Sequence, residues 1–310
     1  MPDSIVHVFF SPAYCNTTVA FDTTRKAAAV AASLLDDPIA GVVVHAPAAI
    51  DRNELAAVHD PTYVDAVLTG EPRELATTNE LGWDPGLAGA VSAAVAGVRD
   101  AARTAYRGAT IAGSLSSGLH HAAAGHGRGY CTFNGLVVAA VAALREGAER
   151  ILVLDLDAHC GGGTAALIRP IPEIEQVDVS VDVFDMYESR ELARLTLCDG
   201  RDYLEVVARE LARIETPEAI DLVLYNAGMD PHEQAGGVPG ITFATLAERE
   251  RMVFDWASGN QLPLAWVLAG GYTAGNEGAA LEMAGLVGLH RETIRAAATA
   301  VRSGSYDAEE

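Results

Sequence analysis

Two stretches of this chain, ILVLDLD at 151–157 and LVLYNAG at 222–228, are apolar at consecutive rather than alternate positions. A strand that buries both faces needs cover above and below, which central strands of a parallel sheet obtain from flanking helices. Shorter β-branched runs predict further strands at 6–10, 42–45, 110–115, 177–184 and 264–269, with the two long runs counted as 151–157 and 221–226. Between most of them lie alanine-rich segments with helical spacing, at 24–35, 87–106, 135–146, 202–214, 243–257 and 277–299. The alternation predicts a single α/β domain with a mostly parallel sheet and helices on both faces. No repeat, low-complexity tract or linker divides the 310 residues. The domain is therefore placed at 1–302, and the polar end SGSYDAEE, 303–310, is read as a frayed tail.

Charge narrows the partners. Against 42 acidic residues stand 21 basic ones, and Lys26 is the only lysine, so the surface would repel a nucleic-acid backbone. The longest uncharged run, 256–276, is broken by Pro263 and a Gly-Gly pair and reads as a turn and a buried strand, which removes membrane insertion from the expectations. MPDSIVHVFF lacks the basic start and long apolar core of an export signal. Cys15, Cys131, Cys160 and Cys198 form no CxxC pair, so neither a disulfide framework nor a zinc knuckle is expected. The expected setting is the cytoplasm of a bacterium, the alanine-rich, lysine-poor usage matching a GC-rich genome, and a homo-oligomer is compatible with all of this.

In open parallel sheets, chemistry gathers beyond the carboxyl ends of the strands. The polar residues there are the informative ones. After ILVLDLD, the residues Gly161, Gly163 and Ala166 satisfy G-x-G-x-x-A, a dinucleotide signature. Two carboxylates at the same strand end, Asp155 and Asp157, would repel a pyrophosphate. GSLSSG at 113–118 lacks the G-x-S-x-G of a serine hydrolase. A metal site fits better: on an extended backbone Asp157 and His159 project the same way, and Asp230 follows another strand at equivalent depth. Two carboxylates and an imidazole leave open positions on a divalent ion, as catalytic sites do. At two further strand ends stand the pair His120-His121, in GLHHAAAGHGRGY, and Tyr272, in LAGGYTAGN.

Taken together these stretches resemble the histone deacetylase family, with its bacterial acetylpolyamine amidohydrolase and acetoin-utilisation relatives. The motifs run in order along most of the chain: SPAY, Arg25 in TTRKAA, HDPTYVDAV, GLHHA, GYCTFN, DLDAH, NAGMD and GGY. The resemblance implies the arginase/deacetylase α/β fold. It implies Asp157, His159 and Asp230 as ligands of Zn²⁺, with Fe²⁺ the alternative, His121 as general base and then acid, and His120, supported by Asp155, as an electrostatic aid. Tyr272 would donate to the developing oxyanion. A structural K⁺ is implied around Asp155, Asp157, His159 and Ser180. The Gly129 carbonyl would accept from the substrate amide, with Tyr130 and one of Phe184, Met186 or Tyr187 walling the acyl tunnel. The physical logic needs no family name: a divalent ion polarises the amide carbonyl, an imidazole moves the proton and a phenol stabilises negative oxygen. Arginase-like ureohydrolases share the DAH stretch but need more carboxylates; Gly161 and Pro231-His232 stand where these would be, so one catalytic metal is expected.

The sequence also departs from the pattern. The residue that orients the general-base histidine in the family, an Asp or Asn, corresponds to Gly162, and a glycine cannot orient an imidazole, which would lower the basicity of His121, shift the pH optimum, leave the role to water or another chain segment, or mark a protein that no longer deacetylates. Cys160 replaces a common second histidine, and Tyr187-Glu188-Ser189 stand in for a longer glycine-rich loop. Two functions follow: an amidohydrolase acting on an acylated amine, whether small molecule, polyamine or lysine side chain, or a noncatalytic relative that binds metal and an acylated ligand. His120, His121 and Tyr272 argue for the first, Gly162 for the second.

Overall fold

The computed structural model describes residues 5–19, 21–273 and 281–303. Among them, β1 (Val6–Phe9), β2 (Val42–His45), β3 (Ile111–Ser114), β4 (Ile151–Asp155), β5 (Ile174–Ser180), β6 (Ala193–Leu197), β7 (Leu222–Gly228) and β8 (Leu264–Ala269) form one sheet in the order β2-β1-β3-β8-β7-β4-β5-β6. Every pairing is parallel. The two runs that suggested buried strands are β4 and β7, adjacent at the centre and buried at every position. Their side chains divide by parity: Leu152 and Leu154 enter one core with helices Asp22–Asp36, Tyr203–Ala212, Phe243–Gly259 and Met283–Arg302. Ile151 and Val153 enter the other, under Pro85–Gly108 and Gly135–Leu144. Two helix layers on one parallel sheet is the architecture expected from the alternation.

Three boundaries differ in ways that matter. The segment predicted as a strand to 157 leaves the ladder after Asp155, so Asp157 and His159 sit in an irregular turn rather than on extended backbone. The strand predicted at 177–184 runs from Ile174 to Ser180, because the amides of Val181 and Asp182 both turn to the Ala158 carbonyl, at 2.9 and 2.8 Å. Residues 182–187 thereby fold back over the site. β6, an edge strand of only five residues (ARLTL), carries no long apolar run and was not expected. The last helix begins at Met283; the predicted start at 277 and the tail 304–310 lie outside the described residues.

The order β3-β8-β7-β4 explains why distant motifs can meet. Neighbouring strands lie about 4.8 Å apart, so four carboxyl ends in a row present one continuous crevice. His120-His121 follow β3, Tyr272 follows β8, Asp230 follows β7 and Asp157 follows β4. Beneath that edge Arg249, fully buried, donates to the carbonyls of Leu156 (3.1 Å) and Gly228 (2.6 Å), the backbone just ahead of Asp157 and Asp230. Its charge is met by the equally buried Glu250 at 2.5 Å, to which the Tyr225 hydroxyl donates at 2.8 Å. Removing one member of a buried pair strands the other charge. Replacing Arg249 with Met is therefore expected to destabilise the fold by about 3–5 kcal/mol. The check is urea unfolding, where the midpoint should fall with the slope unchanged; a midpoint equal to that of the unaltered protein would contradict the role given to this pair.

Candidate metal centre and acyl pocket

The turn after β4 and the turn after β7 are tied to each other by the Ala158 amide, which donates to Asp230 Oδ1 at 3.0 Å. This places His159 Nδ1 3.1 Å from Asp157 Oδ1 and 3.1 Å from Asp230 Oδ2. One donor atom from each of the three residues lies within 4.8 Å of the others. Two donors about 2.1 Å from a shared tetrahedral ion would stand about 3.4 Å apart, so the spacing suits a metal. Asp230 Oδ2 is buried and, apart from the His159 ring at 3.1 Å, has no hydrogen-bond donor among the described residues, which suits a site for a cation. Charge tells the same story. Burial and the Asp157 carboxylate raise the Asp230 carboxyl above its ordinary range, whereas the cationic histidines overcome burial to hold Asp157 below it. Against its burial, Asp157 and Asp230 push His159 up to about 11. In place of that proton, a divalent ion would meet the same two carboxylates.

Gly270 and Gly271 turn the chain after β8 with φ of +48° and +81°, a conformation glycine adopts without strain. A β-carbon at Gly270 would stand 2.2 Å from the Asp230 carboxylate, so the close approach also needs glycine. Lys26, buried on the helix Asp22–Asp36, donates to the Gly270 carbonyl. Its burial lowers the ammonium to about 8, with Asp230 and Asp157 opposing that loss of charge. The turn delivers Tyr272 to the cavity above the metal ligands. Burial, then the Asp230 and Asp157 carboxylates, raise its phenol well above the ordinary value and keep it a proton donor.

His120 and His121 meet at 3.1 Å between their Nε2 atoms but have opposite surroundings. His120 Nδ1 donates to Asp155 Oδ2 at 2.7 Å, and Asn226 donates to Asp155 Oδ1 at 2.8 Å. Although burial disfavours its charge, Asp155 and Asp157 push His120 up to about 10. His121 is lowered to about 4 by burial and by the neighbouring His120 charge. One imidazole is thus held cationic and the other neutral. The loop carrying them is fixed from below by Asn134, which caps the helix Gly135–Leu144 through Val137 N at 3.1 Å and donates to the His120 carbonyl at 3.3 Å.

With glycine at 162, another chain segment supplies the partner of His121. His121 Nδ1 does have an orienting carboxylate, Asp185 Oδ2 at 3.0 Å, delivered by the segment that folds back after β5. It was missed because it lies outside every quoted motif, 23 positions after Gly162 in the chain. Among the tunnel candidates, Gly129, Tyr130 and Phe184 line a cavity of about 190 Å³ together with His121, His159 and Tyr272. Met186 and Tyr187 do not line it: Met186 is 62% exposed, and the Tyr187 hydroxyl is buried elsewhere, with Asp178 and Asp155 raising its pKa beyond the effect of burial. Glu80, not foreseen, stands at the rim and accepts from Gly129 N at 3.2 Å. Ser180, expected beside a monovalent cation, donates its hydroxyl to Asp178 at 2.6 Å. Asp178 is a second buried acid near Asp155, raised to about 8 by burial and that neighbour.

Comparison with known proteins agrees with this geometry. Residues 20–193 match the model of the histone deacetylase domain. An uncharacterized protein of Picosynechococcus is 33% identical over 237 residues, covering 74% of this chain and 78% of its own. Histone deacetylase 2 of Arabidopsis thaliana is 29% identical over 169 residues, 51% of this chain and 43% of that one. The HDA15 HD domain superimposes with a TM-score of 0.73 at 19% identity, covering 95% of this chain and 90% of that one. The acetylpolyamine aminohydrolase of Burkholderia pseudomallei does so with 0.69 at 18%, covering 94% and 98%. No helix among the described residues is long and apolar enough to cross a membrane. With the domain match spanning more than half of its length, the chain belongs to the histone deacetylase family.

Proposed function

We propose that this chain is a metal-dependent deacetylase that removes a short acyl group from an amine nitrogen. The observation that carries the reading is one cavity bordered at once by a metal ligand, a neutral histidine and a buried phenol: His159, His121 and Tyr272. Held by Asp157, His159 and Asp230, Zn²⁺ or Fe²⁺ would polarise the acyl carbonyl and bring the pKa of water towards neutrality. His121, neutral at physiological pH, takes the proton of the attacking water as the new C–O bond forms. Tyr272 donates to the oxygen that becomes negative, and His120, cationic through Asp155, adds positive potential beside it. His121 then returns its proton to the nitrogen as the C–N bond breaks, giving the carboxylic acid and the free amine, which leave as carboxylate and ammonium once the acid's proton passes to the amine.

Below the mouth, a pocket of about 20 Å³ is bounded by His120, His121, Asp157 and Tyr272. A space of about 10–15 Å³ accepts one water-sized group, so the floor suits the methyl of an acetyl rather than a long chain. Glu80 at the rim and the acidic surface suit a substrate whose amine region is cationic, and the acyl amines to consider are small molecules, polyamines and lysine side chains. A structural K⁺ would offset the buried Asp155 and Asp178 carboxyls. The cytoplasm and a homo-oligomeric assembly remain part of the proposal from composition alone. The noncatalytic alternative drew its support from Gly162, and the carboxylate of Asp185 beside His121 weakens it.

Two measurements test the reading. In calorimetric titration of chelator-treated protein, Zn²⁺ should bind as one tight equivalent, and Asp230→Ala should weaken it by more than about 100-fold; two tight equivalents, or unchanged affinity in the variant, would count against a single mononuclear site. With Zn²⁺ present, acetate release from a panel of acetylated amines should fall by about 10²–10³ in kcat for Tyr272→Phe and vanish for His121→Ala. Stoichiometric zinc binding without turnover of any panel member would return the noncatalytic reading to the lead.

A further inference from the structure

The carboxylate beside His121 comes from an unexpected place, and its surroundings look arranged for it. The Asp185 side chain is only 9% exposed, and the three hydrogen-bond partners of its carboxylate are donors. Its Oδ2 accepts from His121 Nδ1 at 3.0 Å and from the amide of Gly163 at 3.1 Å, while its Oδ1 accepts from Arg128 at 2.6 Å. Arg128 in turn lies over the Phe184 ring, 4.9 Å from its centroid, so it bridges two segments that line the mouth. The backbone of Asp185 is left-handed, φ +60°, a conformation that costs a non-glycine residue energy and that Asp tolerates better than most. Strain of this kind persists where the surroundings over-determine it.

Gly162 is the other half of the arrangement. A β-carbon there would lie 2.3 Å from the Asp185 carbonyl oxygen and 2.7 Å from its Cγ. Real β-carbons do not approach heavy atoms so closely, so any side chain at 162 excludes Asp185 from its present position. The two positions are alternatives for one volume. Where a side chain stands at 162, the carboxylate at 185 has no room; where 162 is glycine, the fold-back segment can fill the space.

We infer that Asp185 is the positioning residue of His121, holding the proton on Nδ1 and leaving Nε2 as the acceptor atom, and that Gly162 is the vacancy which admits it. The inference rests on His121 being the base of the proposed reaction. Arg128 compensates the Asp185 charge and ties that carboxylate to the segment carrying Gly129 and Tyr130. His121 thus keeps a fixed tautomer although the usual position for its partner is empty of side chain.

The test uses full-length protein and two substitutions. Asp185→Gly removes the carboxylate and relieves the left-handed strain, so loss of folding is not expected to obscure it. Asp185→Asn keeps an acceptor for Nδ1–H and tolerates positive φ. In zinc-loaded protein, Asp185→Gly should lower kcat by about 10- to 100-fold with KM nearly unchanged, and Asp185→Asn should recover most of the loss. Independently of turnover, long-range ¹H–¹⁵N NMR of metal-free protein should show His121 with its proton on Nδ1, identified by loss of the signal in His121→Ala. That resonance should persist in Asp185→Asn and change tautomer or broaden in Asp185→Gly. An unchanged imidazole signal in Asp185→Gly, or a kcat equal to that of the unaltered enzyme, would overturn the inference. If the unaltered protein hydrolyses no acyl amine yet the signal depends on Asp185, the functional reading fails while the positioning role stands.

Discussion

Two carboxylates forced together in a buried place govern this molecule. Asp157 and Asp230 are each at most 3% exposed, and their repulsion in a poorly solvated interior must be met by positive charge at the same point. His159 Nδ1, 3.1 Å from an oxygen of each, meets it as a cation, and a divalent ion would meet it with more charge and open coordination positions. The chain holds the unfavourable pair by building it at the ends of two adjacent central strands. Arg249 then pins, from underneath, the carbonyls of Leu156 and Gly228 that lead into the two turns. What would be a weak point in an ordinary core is here the purpose of the core.

Around that pair the histidines are sorted by surroundings rather than by type. His120 and His121 are neighbours in sequence and touch at Nε2, yet one is pushed up to about 10 and the other down to about 4. Titratable neighbours whose environments drive their pKa values apart mark an assignment of acid and base roles. Burial disfavours charge on both rings, but Asp155 and Asp157 hold it on His120, whereas His121 lies against that same His120 charge. Asp155 is bonded to Asn226 and faces His120 from inside the sheet, whereas Asp185 reaches His121 from the mouth with its charge engaged by Arg128. Proton transfer and substrate entry therefore share a boundary at Arg128 and Phe184.

Much of this could be read from the chain before any coordinates. Consecutive apolar residues at 151–154 and 222–225 demanded a doubly covered parallel sheet, because no other common arrangement buries both faces of a strand. Polar residues just beyond those runs then named the site, since strand ends in such a sheet face one crevice. Asp157 and His159 do not lie on extended backbone as predicted: they approach each other through a turn fixed by Ala158 and Asp230. Asp185, Glu80 and the exclusion of Tyr187 were not legible. Each depends on how an irregular segment folds back, through bonds such as Val181 N to Ala158 O, and no periodicity records that. Gly162 carried a real signal, but a missing side chain does not say which distant one fills its space.

The central claim is convergence of Asp157, His159 and Asp230 on a single ion. Diffraction from zinc-soaked crystals, with anomalous maps calculated from data above and below the zinc edge, tests it most directly. The account predicts one dominant peak within bonding distance of Asp157, His159 and Asp230, with the remaining coordination positions turned towards Tyr272. A pair of peaks bridged by carboxylates, or a zinc ion bound while any of the three side chains points away, would contradict it.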